Sequence, residues 1–201
     1  DALGKTGESA WAKERLGDLD KAIRTHEWDG RWFIRGIRED GLTFGSRRND
    51  EGTIWLSPQS WSVISGHSSP EQSETVMTVV TEKLETEFGL MICDPPYERA
   101  DVSVMKAVLF NKGMKENGSI FCHIQGWSVI AETLLGRGNA AFRHFRASMP
   151  AAWNDKAEIR EIEPYVYCQF TNSPASPRKG ASRLPWLSGS AAWSYFAAAQ
   201  Y

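Results

Sequence analysis

Trp127-Ser-Val-Ile-Ala-Glu-Thr-Leu-Leu135-Gly-Arg-Gly138-Asn-Ala-Ala-Phe-Arg-His-Phe-Arg-Ala-Ser148 carries two apolar segments around a short break. The run 128–135 suits one helix. Gly136-Arg-Gly138 interrupts it, because glycine weakens a helix interior and readily takes left-handed backbone. Asn139 can then cap a second helix, with Ala141, Phe142, Phe145 and Met149 toward the core. Two helices joined by so short a break predict an αα-hairpin.

Upstream, the clearest helix is expected over 70–88. Ser69 is a candidate N-cap, Pro70 suits the first position, and Glu71 and Glu74 favour the positive end of the dipole. Val76, Val79, Val80, Leu84 and Phe88 fall on one face, and Gly89 is the expected left-handed cap. Pro58 can start a helical turn reaching Ile64, which Gly66 ends. Asp94-Pro-Pro-Tyr97 cannot be helical. Short extended pieces are expected at 31–35, 41–45 and 53–56, with a polar helix over 11–24. Downstream, 163–171 is a mostly apolar run and 172–183 a loop. A final helix is expected over 190–201, with Trp193, Phe196 and Ala197 on one side. Repeated helical hairpins with short strands between them predict a mainly α toroid, or part of one, without an extensive sheet.

The chain has 201 residues and a formal net charge of -2. That suits a single domain and gives no reason to expect nucleic acid as a partner. No apolar run is long enough to span a bilayer and no basic block suggests a membrane surface. Cys93, Cys122 and Cys168 are three widely spaced cysteines. They fit neither a disulfide framework nor a zinc site, and a reducing compartment is the simplest home. Nine tryptophans stand out. Flat rings can cover the apolar faces of a pyranose, although Trp-rich cores are also common.

The stretch Gly113-Met-Lys-Glu-Asn-Gly-Ser-Ile-Phe-Cys-His-Ile-Gln-Gly-Trp127 is punctuated by glycines and holds a lysine, a carboxylate, amides and an imidazole. It is either a binding loop on a rigid support or a packed connection with a core histidine. Lys115 and Glu116 could hold hydroxyls or pair with each other. Gln169, amid apolar neighbours, needs partners if buried. Ser188-Gly189-Ser190 lies where the last helix begins, and its free amides could seat an anion. A plain serine N-cap is the commoner use of such a motif. Trp28-Asp29-Gly30 reads as an ordinary turn. P-loop, dinucleotide, zinc and Gly-x-Ser-x-Gly signatures are absent from the sequence.

Read in order, several stretches are more specific together than singly. They are Trp-Asp-Gly-Arg-Trp-Phe-Ile-Arg (28–35), Pro-Gln-Ser-Trp-Ser-Val-Ile-Ser-Gly (58–66) and Asp-Pro-Pro-Tyr (94–97). Lys-Glu-Asn-Gly-Ser-Ile-Phe-Cys-His (115–123), Glu-Pro-Tyr-Val-Tyr (163–167) and Trp-Leu-Ser-Gly-Ser-Ala-Ala-Trp (186–193) come after them. The set resembles the inverting disaccharide phosphorylases of glycoside hydrolase family 94, most of all the members that cleave cellobiose. The resemblance runs from Trp28 onward. It implies the later part of a six-hairpin (α/α)6 barrel, so 1–201 is expected to be a C-terminal part of the catalytic domain. The join between Ala10 and Trp11 is short for the family, so segments are expected to be missing near the start.

Residue roles come from the same resemblance. His123, Ser188 and Gly189 match phosphate ligands, with serine in place of the family's threonine. Lys115, Glu116 and Gln169 match sugar contacts. The family's acid catalyst is the last aspartate of Asp-Trp-Asn-Asp, which this chain lacks. Asp1-Ala2-Leu3 resembles the family's residues directly after Trp-Asn, and Asp1 takes the catalytic role on that match alone. The implied reaction is inverting phosphorolysis of a β-linked glucose disaccharide, cellobiose being the expected one, to α-glucose 1-phosphate and a free sugar. Inorganic phosphate is the co-substrate, with no metal or other cofactor expected. A cytoplasmic homodimer is expected of the whole protein, with no nucleic-acid or membrane partner. A β-glucan hydrolase or transferase on the same barrel, or a non-catalytic carbohydrate-binding protein, are the alternatives.

Overall fold

A computed structural model describes residues 2–201, and Asp1, the expected acid catalyst, lies outside the described residues. Seven α-helices are present among them: α1 Thr6–His26, α2 Leu56–Ile64, α3 Pro70–Leu84, α4 Gln125–Leu134, α5 Gly138–Ser148, α6 Ala157–Arg160 and α7 Ser188–Gln200. The chain is thus mainly α, as its periodicity predicts. The α4–α5 hairpin forms where Gly136 takes φ +72°. Helix α4 packs against α2, α5 and α7, and α2 packs against α3. Val76, Val79, Val80 and Leu84 of α3 meet Ile54, Leu56, Ile124 and Ala131 in the main core. By contrast α1 buries no residue, and Trp11, Leu16 and Leu19 are exposed on it.

Strands are short. The largest sheet among the described residues has three, ordered Ile120–Phe121, Cys168–Thr171, Ser182–Pro185, all antiparallel. Ile54–Trp55 pairs with Cys93–Asp94. The expected strand over 31–35 is not one. Trp32, Phe33 and Ile34 are buried in succession, and a single bridge joins Phe33 to Trp28. The Gln59 amide captures the Phe33 backbone instead, accepting from its N–H at 2.9 Å and donating to its carbonyl at 2.8 Å. The hairpin forms one step later, between Gly36–Ile37 and Thr43–Phe44.

Helix α3 starts as expected. Ser69 accepts from the Gln72 N–H, and the Gln72 side chain accepts from the Ser69 N–H, completing a capping box. Ser69→Ala should therefore cost about 1 kcal/mol in denaturant unfolding, while Glu74→Ala on the exposed face should change little.

The end of α3 differs from the sequence expectation. The helix stops at Leu84, and Glu85–Thr86 folds back on Gly89–Leu90. The Thr86 hydroxyl donates to the Gly89 carbonyl at 2.7 Å, and Gln125 accepts from the Leu90 N–H at 2.8 Å. Gly89 is not a helix cap. It sits at φ +125° with no room for a side chain, since a Cβ would lie 2.9 Å from Gln125 Oε1 and from Ile120 Cγ2. Two further details differ. Asn139 is not the cap of α5, because that helix already begins at Gly138 after Arg137. Phe142 faces solvent at 65% exposure, while Ala140, Ala141 and His144 point inward.

His144 of α5 and Glu132 of α4 are buried together, their Nδ1 and Oε1 atoms 4.0 Å apart. Arg137 Nε reaches Glu132 Oε2 at 2.9 Å, and Glu85 Oε2 lies 3.8 Å from His144 Nε2. Burial lowers the His144 pKa to about 4 and raises that of Glu132 to about 7. The signs oppose. The unfolded chain takes up the His144 proton first as pH falls, so that group weakens the fold between its ordinary pKa and about 4. Glu132 holds its proton longer when folded, so it weakens the fold as pH rises toward about 7. In His144→Leu the compensation is gone. Thermal unfolding of that variant should show stability falling steadily from about pH 5 to about pH 7.

Candidate anion and sugar site

The three-stranded sheet delivers several chain segments to one place. From strand Ile120–Phe121 the chain enters a 3-10 turn, Cys122–Ile124, and then α4. Phe121 pairs with Phe170, so continuing that antiparallel register sets Cys122 and His123 beside Gln169 and Cys168. Cys168 pairs in turn with Pro185, from which the chain runs directly into α7. The Ser190 hydroxyl donates to the Cys168 carbonyl at 2.9 Å, fixing the first turn of α7 to the middle strand.

Helices α4 and α7 approach unusually closely. A Cβ at Gly126 would lie 2.7 Å from the Trp193 carbonyl oxygen, so only glycine allows this contact. The result is direct apposition of His123 and the start of α7. A Cβ at Gly189 would lie 3.0 Å from His123 Nδ1 and 3.3 Å from Cε1. Ser188 is the first residue of α7 and is exposed. Its side chain does not cap the helix, which begins after Leu187. Free amides at the positive end of a helix of this length, beside an imidazole, suit an anion.

Three tryptophans wall this place. The His123 ring is 5.5 Å from Trp127, edge-on, and 6.4 Å from Trp193. Trp127 also meets Trp193 at 5.8 Å and Trp61 at 5.5 Å. Trp61 extends the wall into a groove of about 590 Å³ between α1 and α2, which Phe33 and His67 also line. The spacing of His123 and Trp127, four apart, is a signal the sequence does carry. That of Trp61 and Trp193 is not visible without the fold.

Buried polar groups divide into two sets. Gln59, Asn117 and Gln125 are each saturated by backbone partners. They serve the fold. Glu116 Oε2, Gln169 Oε1 and Trp127 Nε1 are buried yet make no hydrogen bond among the described residues. Such atoms are costly unless a partner is supplied. Lys115 and Glu116 occupy a tight turn closed by a Met114–Asn117 bridge, with Lys115 at φ +48°. The Lys115 ammonium sits over the Phe110 ring at 5.7 Å. This turn precedes Ile120, so it lies toward the opposite end of the strand pair from His123. No hydrogen bond joins Glu116 to Gln169. Asp29 is a turn residue, accepting from the Arg47 N–H at 2.9 Å and from the Arg31 and Trp32 amides. Among the described residues no group of three His, Cys, Asp or Glu could hold a metal ion. Among the described residues no helix is long and apolar enough to cross a membrane.

The chain is 35% identical over 201 residues to an N,N'-diacetylchitobiose phosphorylase of Vibrio proteolyticus, covering 99% of this chain and 25% of that protein. It is 31% identical over 183 residues to a solabiose phosphorylase of Paenibacillus borealis, covering 91% of this chain and 24% of that one. A cyclic beta-(1,2)-glucan synthase NdvB of Rhizobium meliloti is 32% identical over 190 residues, covering 91% of this chain and 7% of the synthase. The chain thus spans about a quarter of the length of the phosphorylases it matches. The model of the glycosyl hydrolase 94 superfamily catalytic domain matches residues 2–201, and the chain belongs to that family.

Proposed function

We propose that the protein containing this chain is an inverting disaccharide phosphorylase, and that His123, Ser188 and Gly189 seat the phosphate. The observation that carries the reading is the 3.0 Å approach of His123 Nδ1 to the Cβ position at Gly189, at the start of α7. Gln169, Glu116 and Lys115 are assigned to sugar hydroxyls, supported by the unpartnered buried oxygens of Gln169 and Glu116. The Trp127 N–H and the Trp61 and Trp193 faces fit the same role. The α2–α3 and α4–α5 hairpins with α7 are read as part of a closed (α/α)6 barrel whose remaining helices come from elsewhere in the protein.

In the proposed reaction a carboxylic acid protonates the glycosidic oxygen as the bond to the anomeric carbon breaks. Phosphate forms the new bond from the opposite face, giving an α-sugar 1-phosphate and a free sugar. Phosphate takes the place that base and water occupy in an inverting hydrolase, so one catalytic carboxyl suffices. Asp1 is the proposed acid. Cellobiose is the proposed substrate, although the similar phosphorylases are named for diacetylchitobiose and solabiose. A cytoplasmic homodimer is the proposed state of the whole protein.

The test is phosphate consumption by the complete protein with cellobiose, diacetylchitobiose and solabiose. Phosphorus and proton NMR would identify the anomer formed. Strict phosphate dependence with an α-product supports the proposal, and a preference for cellobiose supports the finer reading. The likeness to the glucan synthase favours a second reading, transfer between glucan chains. Phosphate-independent formation of longer glucan chains would establish that reading instead, and phosphate-independent release of free sugar alone would mean hydrolysis.

A further inference from the structure

Cys122 and Cys168 stand immediately before His123 and Gln169 in sequence, and their sulfurs are 3.5 Å apart between the 3-10 turn and the middle strand. Both are buried. They line a cavity of about 10 Å³ with Arg160, Tyr167 and Thr171, which is room for about one water-sized molecule. The two thiols are unequal. The Cys122 thiol, with the Ser182 and Thr171 hydroxyls, holds Cys168 well below the ordinary thiol range, while its own pKa is raised. Thiolate character at one sulfur, a neighbouring thiol and a way in for the oxidant are the requirements of a dithiol oxidised by peroxide, and the small cavity that both sulfurs line is the route to them. Cys93 lacks the first two: it lies in a different sheet, and burial pushes its thiol up to about 12.

We propose that Cys122 and Cys168 are a redox modification site, which hydrogen peroxide closes to a disulfide that displaces His123 and Gln169. The Cys168 thiolate attacks one peroxide oxygen, the O–O bond breaks, and water leaves after protonation, giving a sulfenic acid at Cys168. The Cys122 sulfur attacks the Cys168 sulfur, the S–O bond breaks, and the Cys122 proton leaves with the hydroxide as a second water. Two thiols are oxidised and one peroxide is reduced. A disulfide spans about 2.05 Å, so the sulfurs must close by about 1.5 Å. In the proposal the two backbone segments are drawn together, and His123 and Gln169, the next residue on each, move with them. The Cys168 carbonyl is also the anchor of Ser190, so the start of α7 is drawn in as well. A displacement of about 1 Å at a binding site can cost up to about a hundred-fold in rate.

The effect on activity rests on the proposed phosphorolysis; formation of the bond does not. The complete protein would be treated with hydrogen peroxide, alkylated and mapped by mass spectrometry without reduction. A peptide linking Cys122 to Cys168, with Cys93 still alkylated, is the expected result. Phosphorolysis should fall about ten-fold or more and return with dithiothreitol. Cys122→Ser and Cys168→Ser should each abolish both the link and the peroxide sensitivity. Should either variant not fold, mapping of the wild type before and after dithiothreitol decides. Oxidation elsewhere without this link would overturn the site. A link with unchanged phosphorolysis would overturn the displacement. A protein that never uses phosphate but still forms the link would refute the proposed function and leave the modification site standing.

Discussion

Replacing His123 by alanine in the complete protein is expected to lower kcat/KM for phosphate by about ten-fold to about a hundred-fold. A hydrogen bond to a charged group contributes about 1.5–3 kcal/mol, and each 1.36 kcal/mol is about ten-fold in rate. The imidazole sits against the first turn of α7, so it and the helix amides converge on one small volume. The loss should appear mainly as a raised KM for phosphate, with disaccharide KM much less affected. His123→Asn, which keeps an N–H donor, should recover part of the loss. Steady-state kinetics with phosphate and disaccharide varied in turn make the check. Equal damage to both substrates would mean that His123 holds up the Trp127–Trp193 wall rather than an anion.

Local chemistry made the helical hairpin readable. The apolar run after Trp127 and the Gly136-Arg-Gly138 break act within a few residues of one another. The capping signal at Ser69 is equally local. The end of α3 was not readable for the opposite reason. Phe88 continues the stripe of Val76, Val80 and Leu84, and no stop signal precedes Gly89, yet the helix ends at Leu84. The turn that replaces it is held locally by the Thr86 hydroxyl on the Gly89 carbonyl and remotely by Gln125, whose side chain takes both backbone groups of Leu90, through its Oε1 at 2.8 Å and its Nε2 at 2.9 Å. Phe142 shows the same limit, because the inward face of α5 is the one on which Ala141 meets Val129 and Ile130 of α4 and His144 lies against Glu132.

The candidate site was readable only through resemblance. Residue chemistry alone left His123 as either a ligand or a core histidine, and Ser188 as a plain cap. Their proximity depends on three things no local pattern states: the Phe121–Phe170 register, the Gly126 contact with Trp193, and the Ser190 bond to Cys168. Trp61, Trp127 and Trp193 belong to three different helices and meet only in the packed fold.

The Lys-Glu-Asn-Gly run shows why polar residues in one loop need separate readings. Asn117 is fully buried, donates to the Tyr97 and Phe110 carbonyls at 2.9 and 2.7 Å, and accepts from the Tyr97 N–H at 2.6 Å. Asn117→Ala would leave three backbone groups unpaired, at about 1–3 kcal/mol each. A loss of about 3–5 kcal/mol in chemical denaturation is expected, a large share of the ~5–15 kcal/mol that holds a typical domain together. Asn117→Asp should not rescue it, since an oxygen would replace the amide that donates to both carbonyls. Gln169→Ala should behave oppositely. Its Oε1 is buried without a partner, so the fold loses no hydrogen bond there and unfolding should shift little. Sugar use should fall instead. If Gln169→Ala destabilises the protein as much as Asn117→Ala does, the buried amides are all structural, and Gln169 has no claim to the substrate.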